Sequence, residues 1–185
     1  MHHLVSIDDL TETDIEILFN RAGILKNDSY IHKDSLRGKI LTNLFYEPST
    51  RTSSSFHTAM LKLGGEVLSI NEINYSSVSK GENLQDTIRT MGCYSDIIVL
   101  RSQNAGDAKL AAEVSEVPII NAGDGKGEHP TQTLLDLYTI HENFGRIKNL
   151  TITFVGDIVN GRTVHSLSKA LKKKCEINYC ETYDI

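Results

Sequence analysis

Residues 45–56 read Phe45-Tyr-Glu-Pro-Ser-Thr-Arg-Thr-Ser-Ser-Ser-Phe56, an apolar segment that runs into a hydroxyl-rich segment with one arginine. Residues 39–46 are apolar enough to predict a buried strand, whereas Phe56, Met60 and Leu63 recur on one face of a helix that starts at Thr52. The stretch Ser49–Thr52 therefore lies at a turn from a strand into a helix.

This turn has the chemistry of a phosphate site. The first backbone N–H groups of a helix have no intrahelical partner and carry the positive end of the peptide dipoles, so they accept an oxyanion without rearrangement. The hydroxyls of Ser49–Thr52 add donors, and the guanidinium group of Arg51 matches the spacing of phosphate oxygens. The alternative is an ordinary Ser/Thr helix cap with Arg51 facing solvent, and this segment by itself leaves both open.

Composition favours a soluble globular protein. The chain is 39% hydrophobic and 23% charged, as is typical of such proteins. Its length of 185 residues is enough for one domain or for one domain and part of a second. The net charge of −5 argues against a nucleic-acid partner, so a basic site must be a local pocket. We expect a cytoplasmic protein with no membrane partner, because no leader or bilayer-long apolar run occurs. The three cysteines have no paired spacing and predict neither disulfides nor a metal site.

Strands and helices alternate along the chain. An initial helix at 8–25 is followed by predicted strands at 39–46, 66–70, 96–101 and 117–121 and by helices at 52–63, 82–94, 107–114 and 130–141. This order predicts an α/β fold: a doubly wound parallel sheet with helices on both faces. After a break at 143–149, strands at 150–155 and 176–180 flank a helix at 162–173. We therefore predict one domain at 1–146 and the beginning of a second α/β domain, incomplete, at 147–185.

Polar residues follow three of the predicted strands. Ser49–Thr52 follow the first strand, Arg101 ends the third, and His129 and Gln132 follow the fourth. Taken singly, Arg101 is typical of a surface charge and His129 of a loop histidine. In parallel sheets, however, ligands bind beyond the carboxyl ends of the strands, where these residues would meet. Together they could hold a dianionic phosphate, a polarised carbonyl and an amide.

The motifs together resemble those of the aspartate carbamoyltransferase catalytic chain. They are Ser-Thr-Arg-Thr at 49–52, Lys80-Gly-Glu82 ahead of Asp86-Thr87, Arg101, and His129-Pro-Thr-Gln132, with Val155-Gly-Asp157 and Gly161-Arg-Thr163 in the second unit. The resemblance spans essentially the whole chain. It implies transfer of the carbamoyl group from carbamoyl phosphate to the amine of L-aspartate, giving N-carbamoyl-L-aspartate and phosphate, an early step of pyrimidine biosynthesis, with no cofactor and no metal.

The resemblance also implies roles in binding the first substrate. Ser49, Thr50, Arg51 and Thr52, with Arg101, would hold the phosphate of carbamoyl phosphate. Thr52, Arg101 and His129 would direct donors at the carbonyl oxygen, and Gln132 would fix the carbamoyl amide.

Further roles imply a shared site. Ser76 and Lys80 would lie on a loop that enters the active site of a neighbouring subunit, which makes the protein a homotrimer. Lys80, Arg162 and Thr163 would contact aspartate, and Glu47 would pair with Arg162 when the domains close. The residues expected to act in catalysis are Arg51, Thr52, Lys80, Arg101, His129 and Gln132.

Chains of this family continue through the rest of the aspartate domain. We therefore expect the sequence to be part of a longer enzyme and do not expect activity from these 185 residues alone. Regulatory subunits or fused pathway domains are compatible with the resemblance. Two other functions stay open: an ornithine carbamoyltransferase, which would use the same phosphate site, and a non-catalytic scaffold descended from the enzyme.

Overall fold

The computed structural model describes residues 2–28, 32–71, 83–159, 161–172 and 174–181; the side chains of Asn71 and Arg162 are not described. Within these ranges the strands are β1 (Ile40–Phe45), β2 (Glu66–Asn71), β3 (Ile97–Ser102), β4 (Ile119–Asp124), β5 (Thr151–Gly156) and β6 (Glu176–Glu181). The helices are α1 (Glu12–Asn27), α2 (Thr50–Lys62), α3 (Leu84–Gly92), α4 (Asp107–Val114), α5 (Pro130–Phe144) and α6 (Arg162–Leu171). No helix in the described ranges is both long and apolar enough to cross a membrane.

Four strands form a parallel sheet in the order β2-β1-β3-β4. The two central strands, β1 and β3, pair with Leu44 beside Leu100 and Phe45 beside Arg101. Strands β5 and β6 form a separate parallel pair. The predicted parallel α/β architecture is therefore confirmed, and strands β1, β3 and β4 end side by side.

Alternating side chains of the central strands pack on opposite faces of the sheet. Leu44 and Leu100 lie in a fully buried cluster with residues of α3 and α4, such as Ile88. Phe45 and Val99 point the other way and pack with Met60 of α2. Helices thus cover both faces, as expected for parallel strands that are apolar on both sides.

A third cluster connects the second sheet to the first. Phe19 of α1 and Leu137 of α5 pack with Leu167 and Leu171 of α6. The rings of Phe19 and Tyr138 also meet edge to face, with centroids 5.3 Å apart. Helix α6 is therefore packed directly on the helices that border the four-stranded sheet.

The N-terminal segment differs from the single helix predicted at 8–25. Ser6 caps a 3-10 turn at Ile7–Asp9, and Thr11 then caps α1 through a second capping box with Asp14. Each cap satisfies backbone N–H groups that a continuous helix would use internally. Two consecutive start signals therefore break the helix, although the apolar spacing runs through both.

The fourth strand extends further than predicted, to Asp124 rather than Asn121. Asn121 and Asp124 are buried, and their side chains form hydrogen bonds with backbone groups. The Asn121 amide donates to Val5 O and accepts from Gly123 N, while the Asp124 carboxylate accepts from the N–H groups of Gly106 and Glu128. Polar residues that satisfy backbone groups in this way can stay in the interior.

Replacing Leu44 by alanine should lower the free energy of unfolding by about 2–5 kcal/mol, because the side chain is completely buried in a central strand. Urea denaturation monitored by circular dichroism measures the change. Leu61→Ala is the matched control, since Leu61 is 53% exposed on α2 and should cost less than about 0.5 kcal/mol. Equal losses for both variants would contradict the described core.

Candidate active site

The order of the strands brings the predicted site residues that end or follow β1, β3 and β4 to one edge of the sheet. Because β3 lies between β1 and β4 and all three are parallel, their carboxyl ends are adjacent. The hydrogen bonding between β1 and β3 continues one residue beyond the end of β1, where Tyr46 N donates to Arg101 O at 2.8 Å. Helices α2 and α5 follow β1 and β4, so both begin at this edge.

The N-terminus of α2 is not capped by a side chain. Ser49 occupies the cap position, but its side chain forms no capping hydrogen bond with the described residues, and the first turn contains no acidic residue. At α1, in contrast, the Thr11 hydroxyl accepts from Asp14 N. The first N–H groups of α2 are thus available to an anion, which supports the phosphate interpretation of Ser49–Thr52 over the ordinary cap.

Arg51 lies in the first turn of α2 and is exposed. Within the described part of the chain it forms no ion pair with a carboxylate, unlike Arg89, which pairs with Asp86 at 3.1 Å. An uncompensated guanidinium beside a helix N-terminus produces a local positive potential in a chain of net charge −5.

His129 occupies the N-terminal cap position of α5, and Pro130 opens the helix. The His129 side chain is buried, and its backbone N–H donates to the Ser166 hydroxyl of α6 at 2.9 Å. The Thr131 hydroxyl lies 3.2 Å from His129 Nδ1. The imidazole is thereby held by Thr131 of its own helix, and the backbone of His129 is held by Ser166 of α6.

Four of the predicted residues line one cavity of about 520 Å³ between α1, α2 and α5. They are Arg51, Thr52, His129 and Gln132. The remaining lining is largely apolar and consists of Leu18, Phe19, Ala22, Ser55, Phe56, Ala59, Thr131, Leu134, Leu135 and Tyr138. An apolar wall with a few convergent polar groups is typical of a small-molecule site.

Arg101 does not line this cavity and is only 7% exposed. Its Nη2 donates to Glu47 at 2.7 Å, and its Nη1 donates to Ala122 O at 3.1 Å. Its Nε is buried and has no partner among the described residues. The contacts with Glu47 and the Ala122 carbonyl compensate the positive charge of Arg101, which has lost its hydration on burial. The sequence did not predict this pair of Glu47 with Arg101.

The other predicted residues are less completely described. Ser76 and Lys80 lie outside the described residues. Arg162 begins α6, and Thr163 is exposed in its first turn. No group of metal-ligating side chains occurs in the described ranges.

Sequence reasoning missed three residues that support the site. Ser166 binds the His129 backbone, and Asp136 accepts a hydrogen bond from Gln132 Nε2 at 2.9 Å. Lys169 of α6 pairs with Glu128, the residue before His129, at 2.8 Å. Hydrogen bonds to Asp8 and Glu128 raise the pKa of Lys169. None of these residues stands out in the sequence, because their roles depend on contacts between distant elements.

Comparison with known proteins gives the class of protein. Residues 2–142 match the sequence profile of the family "Aspartate/ornithine carbamoyltransferase, carbamoyl-P binding domain". This match covers more than half of the chain, so the chain belongs to the carbamoyltransferase family.

Two similar proteins are named aspartate carbamoyltransferase catalytic subunit. The one from Methanococcus vannielii is 51% identical over 181 residues, which covers 92% of this chain and 57% of the relative. The one from Thermococcus gammatolerans is 55% identical over 171 residues, covering 91% and 55%. The chain therefore spans little more than half the length of these relatives.

Two solved structures share the fold. The catalytic subunit of M. jannaschii aspartate transcarbamoylase has a TM-score of 0.91 and 49% identity, covering all of this chain and 61% of that one. The Trypanosoma cruzi aspartate transcarbamoylase in complex with carbamoyl phosphate and aspartate has a TM-score of 0.88 and 42% identity, covering 95% and 55%.

Ser166→Ala should lower the free energy of unfolding by about 1–3 kcal/mol, because the buried N–H of His129 loses its acceptor. Thermal unfolding measures the change. Thr139→Ala is the control, since the Thr139 hydroxyl donates to Leu135 O on an exposed part of α5. An unchanged stability of Ser166→Ala relative to this control would refute the contact.

Proposed function

We propose that this chain forms the carbamoyl phosphate half-site of an aspartate carbamoyltransferase. The enzyme transfers the carbamoyl group to the amine of L-aspartate and releases N-carbamoyl-L-aspartate and phosphate. The observation that supports this most directly is the convergence of Arg51, Thr52, His129 and Gln132 on one cavity at the carboxyl ends of the sheet. The names of the related proteins support the same reaction.

The phosphate group binds at the N-terminus of α2 in this proposal. The uncapped N–H groups of the first turn and the hydroxyls of Ser49, Thr50 and Thr52 donate to its oxygens. Arg51 adds a charged, bidentate donor that has no carboxylate partner among the described residues. The dianion would replace the water around these donors with little rearrangement.

The carbamoyl group lies toward α5. Thr52 and His129 donate to the carbonyl oxygen, while Arg101, which is buried and does not line the cavity, contributes a fixed positive charge. The amine nitrogen of aspartate bonds to the carbonyl carbon, and negative charge builds on the oxygen. The bond to phosphate then breaks, and the proton lost by the amine passes to the departing phosphate. Donors oriented before the reaction stabilise this charge, typically by about 3–4 kcal/mol each.

The aspartate half-site is incomplete in this chain. Lys80, Arg162 and Thr163 are proposed to contact aspartate, and Glu47 to approach Arg162 on closure. In the described structure Glu47 already pairs with Arg101, so it would connect the two half-sites. We assign residues 1–146 to the carbamoyl phosphate-binding domain and 147–185 to the beginning of the aspartate-binding domain. We further propose a cytoplasmic homotrimer in which Ser76 and Lys80 serve a neighbouring subunit.

Arg51→Ala should weaken binding of phosphonoacetamide, a stable analogue of carbamoyl phosphate, about tenfold to a hundredfold through loss of a charged hydrogen bond. Isothermal titration calorimetry measures the affinity, and unfolding curves should match those of the unchanged protein. Arg37→Ala is the matched control, because Arg37 is an exposed arginine outside the cavity. An unchanged affinity of Arg51→Ala removes Arg51 from the phosphate role, and no binding by the unchanged chain favours the scaffold alternative.

The shared site can be tested in enzyme that carries a complete aspartate half-site. Lys80→Ala and Arg51→Ala proteins should each be inactive, and reassembly of an equal mixture should restore activity at about a quarter of the sites if each site uses two subunits. The assay follows carbamoyl transfer with aspartate and, separately, with ornithine as acceptor. Failure to recover activity would contradict shared sites, and product formed only with ornithine would establish the alternative enzyme.

A further inference from the structure

Gln132 and Asp136 are neighbours on consecutive turns of α5. Gln132 lines the cavity, and its Nε2 donates to Asp136 Oδ1 at 2.9 Å. Asp136 is half-buried and does not line the cavity itself. The spacing of four residues places the two side chains on the same face of the helix.

The chemistry of this pair determines the orientation of the amide. An ionised carboxylate only accepts hydrogen bonds, so the NH2 group of Gln132 must face Asp136. The carbonyl oxygen of Gln132 is then the group left to interact with a molecule in the cavity. In the described part of the chain, Gln132 is the single hydrogen-bond partner of the Asp136 carboxylate.

The partial burial of Asp136 makes this bond more than a surface contact. Burial raises the pKa of the Asp136 carboxyl above its ordinary value, and the hydrogen bond from Gln132 offsets only part of this rise. The amide therefore stabilises a carboxylate that has lost part of its hydration, and the carboxylate in return disfavours the flipped amide. A flipped amide would bring an oxygen against the carboxylate.

We propose that Asp136 is a positioning residue that presents the Gln132 carbonyl oxygen to an NH2 group of the donor substrate. This inference rests on the function proposed above and makes the preference of that site for an amide nitrogen over a methyl group depend on Asp136. A site that hydrogen-bonds a substrate N–H discriminates against the analogue without it, because its own polar group is left unpaired.

Two probes of nearly equal shape test the selectivity. Phosphonoacetamide carries the NH2 group, and 2-oxopropylphosphonate carries a methyl group in its place. Calorimetry with the full chain should give a preference of about tenfold for the amide, the effect of one ordered hydrogen bond. Asp136→Ala should abolish most of this preference and leave the affinity for the ketone unchanged.

Control variants separate positioning from folding. Glu142→Ala removes another acid from α5, one that pairs with Lys26 at 2.7 Å outside the cavity, and should keep the preference. Asp136→Asn keeps the shape but can both donate and accept, so it should reduce the preference by less than alanine does. If Asp136→Ala does not fold, Asp136→Asn is used in its place. A folded variant that keeps the full preference for phosphonoacetamide over the ketone overturns the proposal.

A double-mutant cycle shows whether Asp136 influences the preference for the amide through Gln132. If Asp136 acts through Gln132, then Asp136→Ala should cause no further change in a Gln132→Ala background. Additive losses, or equal losses for both probes, would overturn the proposal in favour of a structural role. If the unchanged chain binds both probes equally, this inference alone fails, whereas binding of neither probe removes the proposed function as well.

Discussion

The parallel pairing of β1, β3 and β4 is the constraint on which the site depends. Because these strands are neighbours that run in one direction, the helices that follow β1 and β4 both begin at the same edge. The positive ends of α2 and α5 therefore face a common cavity. If β4 ran in the opposite direction, His129 would lie at the opposite edge of the sheet from Ser49–Thr52.

The two arginines at this edge have different electrostatic environments. Arg101 is buried, and its charge is compensated by Glu47 and by the carbonyl of Ala122. Arg51 is exposed and has no carboxylate partner among the described residues. A compensated buried cation holds neighbouring loops in place, whereas an uncompensated cation beside a helix N-terminus attracts an anion. In the function proposed above, Arg51 would contact the phosphate directly, and Arg101 would contribute a fixed charge from outside the cavity.

Helix α6 supports the site from the other side of the proposed domain boundary. Its Ser166 accepts from the backbone of His129, and its Lys169 pairs with Glu128. Leu167 and Leu171 pack on α1 and α5. The position of His129 is therefore set partly by a helix that follows the four-stranded sheet in the chain, which connects the geometry of the first half-site to the second sheet.

The sequence by itself determined the alternation of strands and helices, the parallel sheet and the candidate residues, because apolar periodicity and helix-start chemistry are local properties. It misjudged the break before α1 and the end of β4, where Thr11 and Asn121 satisfy backbone groups that periodicity does not reveal. Only the tertiary structure decided that Glu47 compensates Arg101 and that Asp136 accepts a hydrogen bond from Gln132. These pairings depend on burial and on which side chains meet across helices and strands, and burial is set by the packing of the whole chain.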